Sequence, residues 1–246
     1  MAAGPLSISL AALSQTGRRE SNEDAFGYWL GAGSLVAALC DGAGGHGGGQ
    51  VASRAAVTHV LEAFALRPEV SLEILQALVE GANEAVVAQQ VAGTATSDMR
   101  TTIVVLLLDL NSGEALWAHA GDSRLYRWHD ARLLGRTRDQ SLEQTLRDAG
   151  LDAGADEAGQ LTSALGTPGG FDLECLLTPQ VLACGDALLL CSDGLWSAFD
   201  EGAMAGSVVG CDGVEAWLDR LEAGVQQAGR SDQDNYSAVA IWCEAG

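Results

Sequence analysis

Leu35-Val-Ala-Ala-Leu-Cys-Asp-Gly-Ala-Gly-Gly-His-Gly-Gly-Gly49 passes from an apolar run into a glycine loop, with a carboxylate at the junction. The run Leu35 to Cys40 has the length and continuity of a buried strand. Asp41 therefore stands where a strand ends, and a helical pattern resumes at Gln50. Six of the nine residues from Asp41 to Gly49 are glycine, and without a Cβ they let backbone groups come close to a ligand. A carboxylate so placed can hold a metal, although Asp-Gly after a strand is also a common turn.

Around this stretch the chain has 246 residues with 48% hydrophobic content, enough for a sizeable core and read here as one domain spanning 1–246. Thirty-three acids against thirteen bases give a formal charge of −20. Such a surface repels nucleic-acid phosphates and anionic lipid, so neither is expected as a partner. The start Met1-Ala-Ala-Gly-Pro5 has no basic, apolar leader pattern and no segment reaches membrane-span length, which predicts a cytoplasmic protein. Cys40, Cys175, Cys184, Cys191, Cys211 and Cys243 show no C-x-x-C pairing and read as reduced, mostly core thiols.

Strand signals fall at Leu6–Leu10, Ala25–Leu30, Thr101–Leu108, Glu114–Ala120, Arg124–Trp128, Arg132–Gly135, Phe171–Leu177, Ala187–Cys191 and Tyr236–Cys243. Helical spacing runs through Val51, Ala55, Val60 and Phe64. It returns behind a Ser71 N-cap through Val86, from Ser141 in capping-box form with Gln144, and from Asp212 through Val225. Leu151 to Thr167 is polar and reads as a surface flap. Strands arrive in consecutive groups with helices between the groups, the order of an α+β layered sandwich and not of an alternating parallel series.

Glu23/Asp24, Asp41-Gly42, Asp122, Asp193-Gly194 and Asp234 are all carboxylates in loops beside apolar strands. Clustered carboxylates repel one another unless cations neutralise them. Oxygen ligands without His or Cys point to hard ions, Mg²⁺ or Mn²⁺, and a pair of these can clamp a phosphoryl group and generate hydroxide.

In order along the chain stand Arg19-Glu-Ser-Asn-Glu-Asp24, Asp41-Gly-Ala-Gly-Gly-His46, Met99-Arg-Thr-Thr102, Gly121-Asp-Ser-Arg124, Thr137-Arg-Asp-Gln-Ser141, Leu161-Thr-Ser-Ala-Leu-Gly166, Ser192-Asp-Gly194 and Asp234-Asn235. This series resembles the metal-dependent Ser/Thr protein phosphatases of the protein phosphatase 2C (PPM) family, in their short bacterial form. The resemblance implies an αββα four-layer sandwich, two central antiparallel β-sheets flanked by antiparallel helix pairs, with the metal site between the sheets. It implies two Mn²⁺ or Mg²⁺ ions: Asp41 bridging both, Asp193 and Asp234 completing one, and the Gly42 carbonyl with Glu23 or Asp24, directly or through water, completing the other. Asp122 with Asp193 matches the family's weaker third-metal site. Arg19 matches the phosphoryl-binding arginine.

The activity implied is hydrolysis of phosphoserine or phosphothreonine by a metal-bridging hydroxide. Phosphoprotein substrates, a cognate bacterial Ser/Thr kinase and a monomeric state are the expected relations. Arg100, Gln50, Gln140 and Ser163 depart from the family pattern, and Ala43 stands where eukaryotic members place a His. His46 is then the nearest candidate to protonate the leaving alkoxide, or else it orders the glycine loop. A catalytically weak phosphoprotein-binding scaffold, or a phosphatase of another phosphoester, are the alternatives.

Overall fold

The computed structural model describes residues 6–31, 33–43, 48–154, 157, 159–167 and 170–244. Among these residues the chain forms thirteen strands and six helices. In order they are β1 (Ser7–Gln15), β2 (Ala25–Leu30), β3 (Ser34–Cys40), β4 (Gly42–Ala43), α1 (Gly48–Leu66), α2 (Leu72–Val87), β5 (Arg100–Thr101), β6 (Ile103–Asp109) and β7 (Glu114–Ala120). There follow β8 (Arg124–His129), β9 (Arg132–Arg136), α3 (Leu142–Asp148), β10 (Glu174–Cys175), β11 (Gln180–Val181), β12 (Asp186–Cys191), α4 (Asp193–Trp196), α5 (Glu201–Gly206), α6 (Val214–Ala228) and β13 (Tyr236–Glu244).

Two antiparallel sheets face each other. One has the order β1-β13-β12-β8-β9, the other β10-β7-β6-β3-β2 with β11 also on β7. The continuous apolar runs resolve into alternation between two cores. In β3, Val36, Ala38 and Cys40 face α1 and α2, while Leu35, Ala37 and Leu39 face the opposite sheet. Strand β6 divides in the same way, with Ile103, Val105 and Leu107 outward and Val104, Leu106 and Leu108 inward. A strand buried on both faces has no polar side to show, which is why its sequence reads as an unbroken run.

Helices α1 and α2 bury Ala52, Val60 and Phe64, and Leu75, Leu78 and Ala82, on one outer face. The other outer face is covered by α6, through Trp217, Leu218 and Leu221, together with the short α4 and α5. The layers are those of an αββα sandwich, but the second flank is one long helix with two short ones. No helix among the described residues is long and apolar enough to cross a membrane.

Several local expectations change. The run Thr101–Leu108 breaks at Thr102, because Thr101 and Thr102 turn their hydrogen bonds to Asp41 and β5 pairs with β4. Phe171, Leu173 and Cys175 do pack on the α1/α2 core, yet only Glu174–Cys175 joins a ladder. Ser141 Oγ accepts from the Gln144 N–H at 3.2 Å, while the Gln144 side chain reaches Asp148, so only half of the capping box forms. Asp212 does not cap α6: Gly213 holds that position at φ 150°. Strand β1 runs on to Gln15 because it pairs with β13 along its whole length.

Candidate active site

Register brings the acid-bearing strand ends to one edge of the sandwich. Ala25 pairs with Cys40, so Asp24 and Asp41 are neighbours. Ile103 pairs with Ala120 just before Asp122. Cys191, the last residue before Ser192-Asp193, pairs with both Ala238 and Arg124. Asp234 lies two residues before the start of β13. The chain enters or leaves each of these strands at the same rim, and the side chains gather over a cleft of about 640 Å³ lined by Arg19, Glu23, Asp41, Gly42, Asp122 and Asp193, among others. A larger cleft of about 1120 Å³ adjoins it and shares Arg19, Asp193 and Asp234.

The acids disturb one another in the way crowded carboxylates must. Burial, then the charges of Asp24, Asp193 and Asp122, hold the Asp41 carboxyl well above the usual carboxylate range. Burial pushes Asp24 up to about 6 and Asp122 up to about 7, with the charge of Asp193 adding to both. Asp193 is raised as well, again mainly by burial. Asp24 Oδ1 and Asp193 Oδ1 are buried and have no hydrogen-bond partner.

Among the described residues no three His, Cys, Asp or Glu side chains are arranged to hold an ion as they lie. Four of the acids lean on protein partners instead. Asp234 Oδ2 accepts from Arg19 Nη2 at 2.7 Å, Asp24 Oδ2 accepts from Ser192 Oγ at 2.7 Å, and Asp41 shares a hydrogen bond with Asp193. The donor chemistry nevertheless fits a hard divalent cation: oxygens only, two of them orphaned, in acids that suppress one another's ionisation. Of the two candidates next to Gly42, Glu23 lines the cleft, whereas Asp24 lies beneath it, 7% exposed.

The glycine loop earns its composition at Gly42 and Gly49. A Cβ on Gly42 would stand 2.2 Å from the Gly49 carbonyl oxygen, and one on Gly49 would stand 2.2 Å from Glu23 Oε2. The start of α1 is thereby pressed against the loop that holds Asp41. His46 lies outside the described residues.

Sequence reading missed the groups that hold these acids. Thr102 Oγ1 accepts from the Asp41 N–H at 2.9 Å and pairs with Ser123 Oγ at 2.7 Å, while the Asp41 carbonyl accepts from the Thr102 N–H and from Thr101 Oγ1. Gln140, one of the departures, takes the Gly121 N–H on its side-chain oxygen at 2.9 Å and so secures the Asp122 turn. Gln50 Nε2 donates to the Asn22 carbonyl, and Ser163 Oγ binds the Asp172 backbone on both sides. Thr102→Val keeps the shape but strands the Asp41 N–H and the Ser123 hydroxyl. It should cost about 1–3 kcal/mol, read as a lower urea midpoint at unchanged slope. A loss below about 0.5 kcal/mol, the level of an ordinary surface substitution, would remove this clamp from the account.

Residues 14–233 match the protein phosphatase 2C family. The chain belongs to that family. It is 34% identical over 200 residues to the serine/threonine protein phosphatase PstP of Mycobacterium tuberculosis, a span of 79% of this chain and 38% of that protein. It is 30% identical over 179 residues to the serine/threonine phosphatase stp of Listeria monocytogenes, 69% of each. The crystal structure of the PstP catalytic domain in complex with two manganese ions superposes with a TM-score of 0.79 at 30% identity, covering 97% of this chain and 99% of that one. The present protein phosphatase 2C chain thus spans well under half the length of its mycobacterial relative and nearly all of that relative's catalytic domain.

Proposed function

We propose that this chain is one catalytic domain that hydrolyses phosphoserine and phosphothreonine in proteins with the help of Mn²⁺ or Mg²⁺, opposing a bacterial Ser/Thr kinase. The observation that carries the reading is the gathering of Asp24, Asp41, Asp122 and Asp193 at one rim beside Arg19, whose side chain is 59% exposed. Membership of the family supports it, as do relatives named as serine/threonine phosphatases and the manganese complex of PstP.

Asp41, Asp193 and Asp234, with Glu23 and the Gly42 carbonyl, are the groups that would hold two ions, and Asp122 with Asp193 a weaker third. When bound, the ions supply charge stabilisation for a phosphoryl group and an activated water. The chain's own residues do the rest. Thr101 and Thr102 hold the Asp41 backbone by hydrogen bonds on both its N–H and its carbonyl. Arg19 uses one N–H on Asp234, and its guanidinium fork has further donors shaped for phosphoryl oxygens. Six cysteines are free, but Cys40 and Cys191 beside the site are fully buried and burial pushes both thiols far up, so neither is a competent nucleophile.

Arg19→Ala should raise KM and lower kcat/KM by about 1.5–3 kcal/mol, the value of a hydrogen bond to a charged group. Mn²⁺ binding measured by calorimetry should persist. Unchanged kinetics, or an unfolded variant, would return Arg19 to the solvated loop. The function itself is tested with phosphoserine, phosphothreonine, phosphotyrosine and phosphohistidine peptides in Mn²⁺ and in chelator. Turnover of the first two that disappears in chelator is expected. Tight phosphopeptide binding without turnover would favour the scaffold, and turnover of phosphohistidine alone would favour the other phosphatase class.

A further inference from the structure

We propose that Asn235 is a positioning residue that carries Arg19 into register with the acids; this rests on the phosphatase reading above. Asn235 is 6% exposed, and its side chain spends all its bonds on one loop. Nδ2 donates to the carbonyls of Thr16 at 2.8 Å and Ser21 at 2.9 Å, and Oδ1 accepts from the Glu23 N–H at 2.8 Å. A side-chain amide has two donors, and both are used here. The anchors bracket Arg19, whose own N–H turns back to the Thr16 carbonyl at 3.3 Å. On the other side, the Asn235 N–H donates to Asp234 Oδ1 at 2.8 Å.

A second contact fixes the same register. Gly17 has φ +62°, and a Cβ there would lie 2.2 Å from the Asp234 carbonyl oxygen and 2.7 Å from that of Gln233. The Arg18 N–H donates to the Gln233 carbonyl at 2.8 Å. Segment 16–23 is therefore seated on the turn 233–235 at both ends and in the middle. The Arg19 side chain, exposed and bonded to Asp234, takes its place from that seat. Displacing it by about an ångström is enough to lose on the order of 10²-fold in rate.

The test is a double-mutant cycle between Asn235→Ala and Arg19→Ala in Mn²⁺, read by kcat/KM on a phosphothreonine peptide and by inorganic phosphate binding in calorimetry. Asn235→Ala alone should lower kcat/KM by about 10- to 100-fold and weaken phosphate in proportion. Adding Arg19→Ala to it should then change either value by less than about twofold. Fully additive losses would overturn the inference. So would a tenfold or greater loss of Mn²⁺ affinity, followed by electron paramagnetic resonance, with the Arg19 effect intact, because that would assign Asn235 to the acids. If Asn235→Ala does not fold, Asn235→Asp, which faces the Thr16 and Ser21 carbonyls with an oxygen, and Gly17→Ala carry the same cycle. The phosphatase reading fails in the unmutated protein, through absent turnover. This inference fails only in the variants, and the phosphate arm keeps it readable in either case.

Discussion

Asp41→Asn should lower kcat by on the order of 10³-fold or more, because ions held at a site of this kind would supply several kcal/mol of charge stabilisation and Asp41 is the most crowded of the acids that would hold them. Its carboxyl feels Asp24, Asp193 and Asp122 together, so no neighbour can substitute for it without leaving its own post. The same change puts a neutral amide in place of a carboxyl that burial and three neighbouring acids hold well above its usual range, and so removes the cost of keeping an acid there. In chelator the variant should melt at a higher temperature than the unmutated protein while being inert, a trade of stability against activity. The pair of measurements is kcat on p-nitrophenyl phosphate in saturating Mn²⁺ and melting temperature in chelator. Full turnover by the variant would end the two-metal account.

The second large effect concerns pH. In the unfolded chain Asp24 and Asp122 ionise near 3.8, whereas burial and the Asp193 charge keep them protonated in the folded protein up to about 6 and about 7. Between those values the folded state holds more protons than the unfolded one, so stability must fall as pH rises. The contribution is complete below pH 3.8 and gone above about 7, the reverse of an ion-paired carboxylate. In chelator the melting temperature should therefore drop across this window, by roughly 5–15 °C for a loss of a few kcal/mol. Saturating Mn²⁺ should flatten the slope, since the cation binds only the deprotonated folded site. Asp122→Asn should remove part of the slope and so separate it from the general repulsion of a chain at −20. A flat profile in chelator would mean that these carboxyls are not crowded in solution.

The layers and most strands were legible because burial on two faces writes itself as an unbroken apolar run, as in Leu35–Cys40 and Ala187–Cys191. Elements fixed by contacts instead of pattern were not. Alternation at Phe171, Leu173 and Cys175 recorded one-sided burial against the helices, and no spacing distinguishes that from a ladder. Helices α4 and α5 are four and six residues long, too short to show a period. In the site, the acids stood out as Asp-Gly and Asp-Asn pairs at strand ends. Their supports did not, since Thr102 reaches back 61 positions to Asp41 and Asn235 reaches 212 to Glu23. Hydrogen bonds that close such distances leave no local trace in composition.

The inter-sheet layer gives the rim a mechanical character. Asp24 and Asp41 ride on one sheet and Asp193 and Asp234 on the other, so the gap between the two carboxylate pairs is set by the thickness of the filling Leu35, Leu106, Leu188 and Ile241. The fold works as a caliper, with jaws at the rim and a spacer in the middle. Thinning the spacer with Leu106→Ala should shift the jaws as well as open a cavity. Its Mn²⁺ affinity, titrated at a temperature where the variant is fully folded, should fall, while Leu78→Ala under α2, with a similar stability loss of about 2–5 kcal/mol, should leave that affinity unchanged. Equal affinities in the two variants would show that the jaws do not feel the spacer.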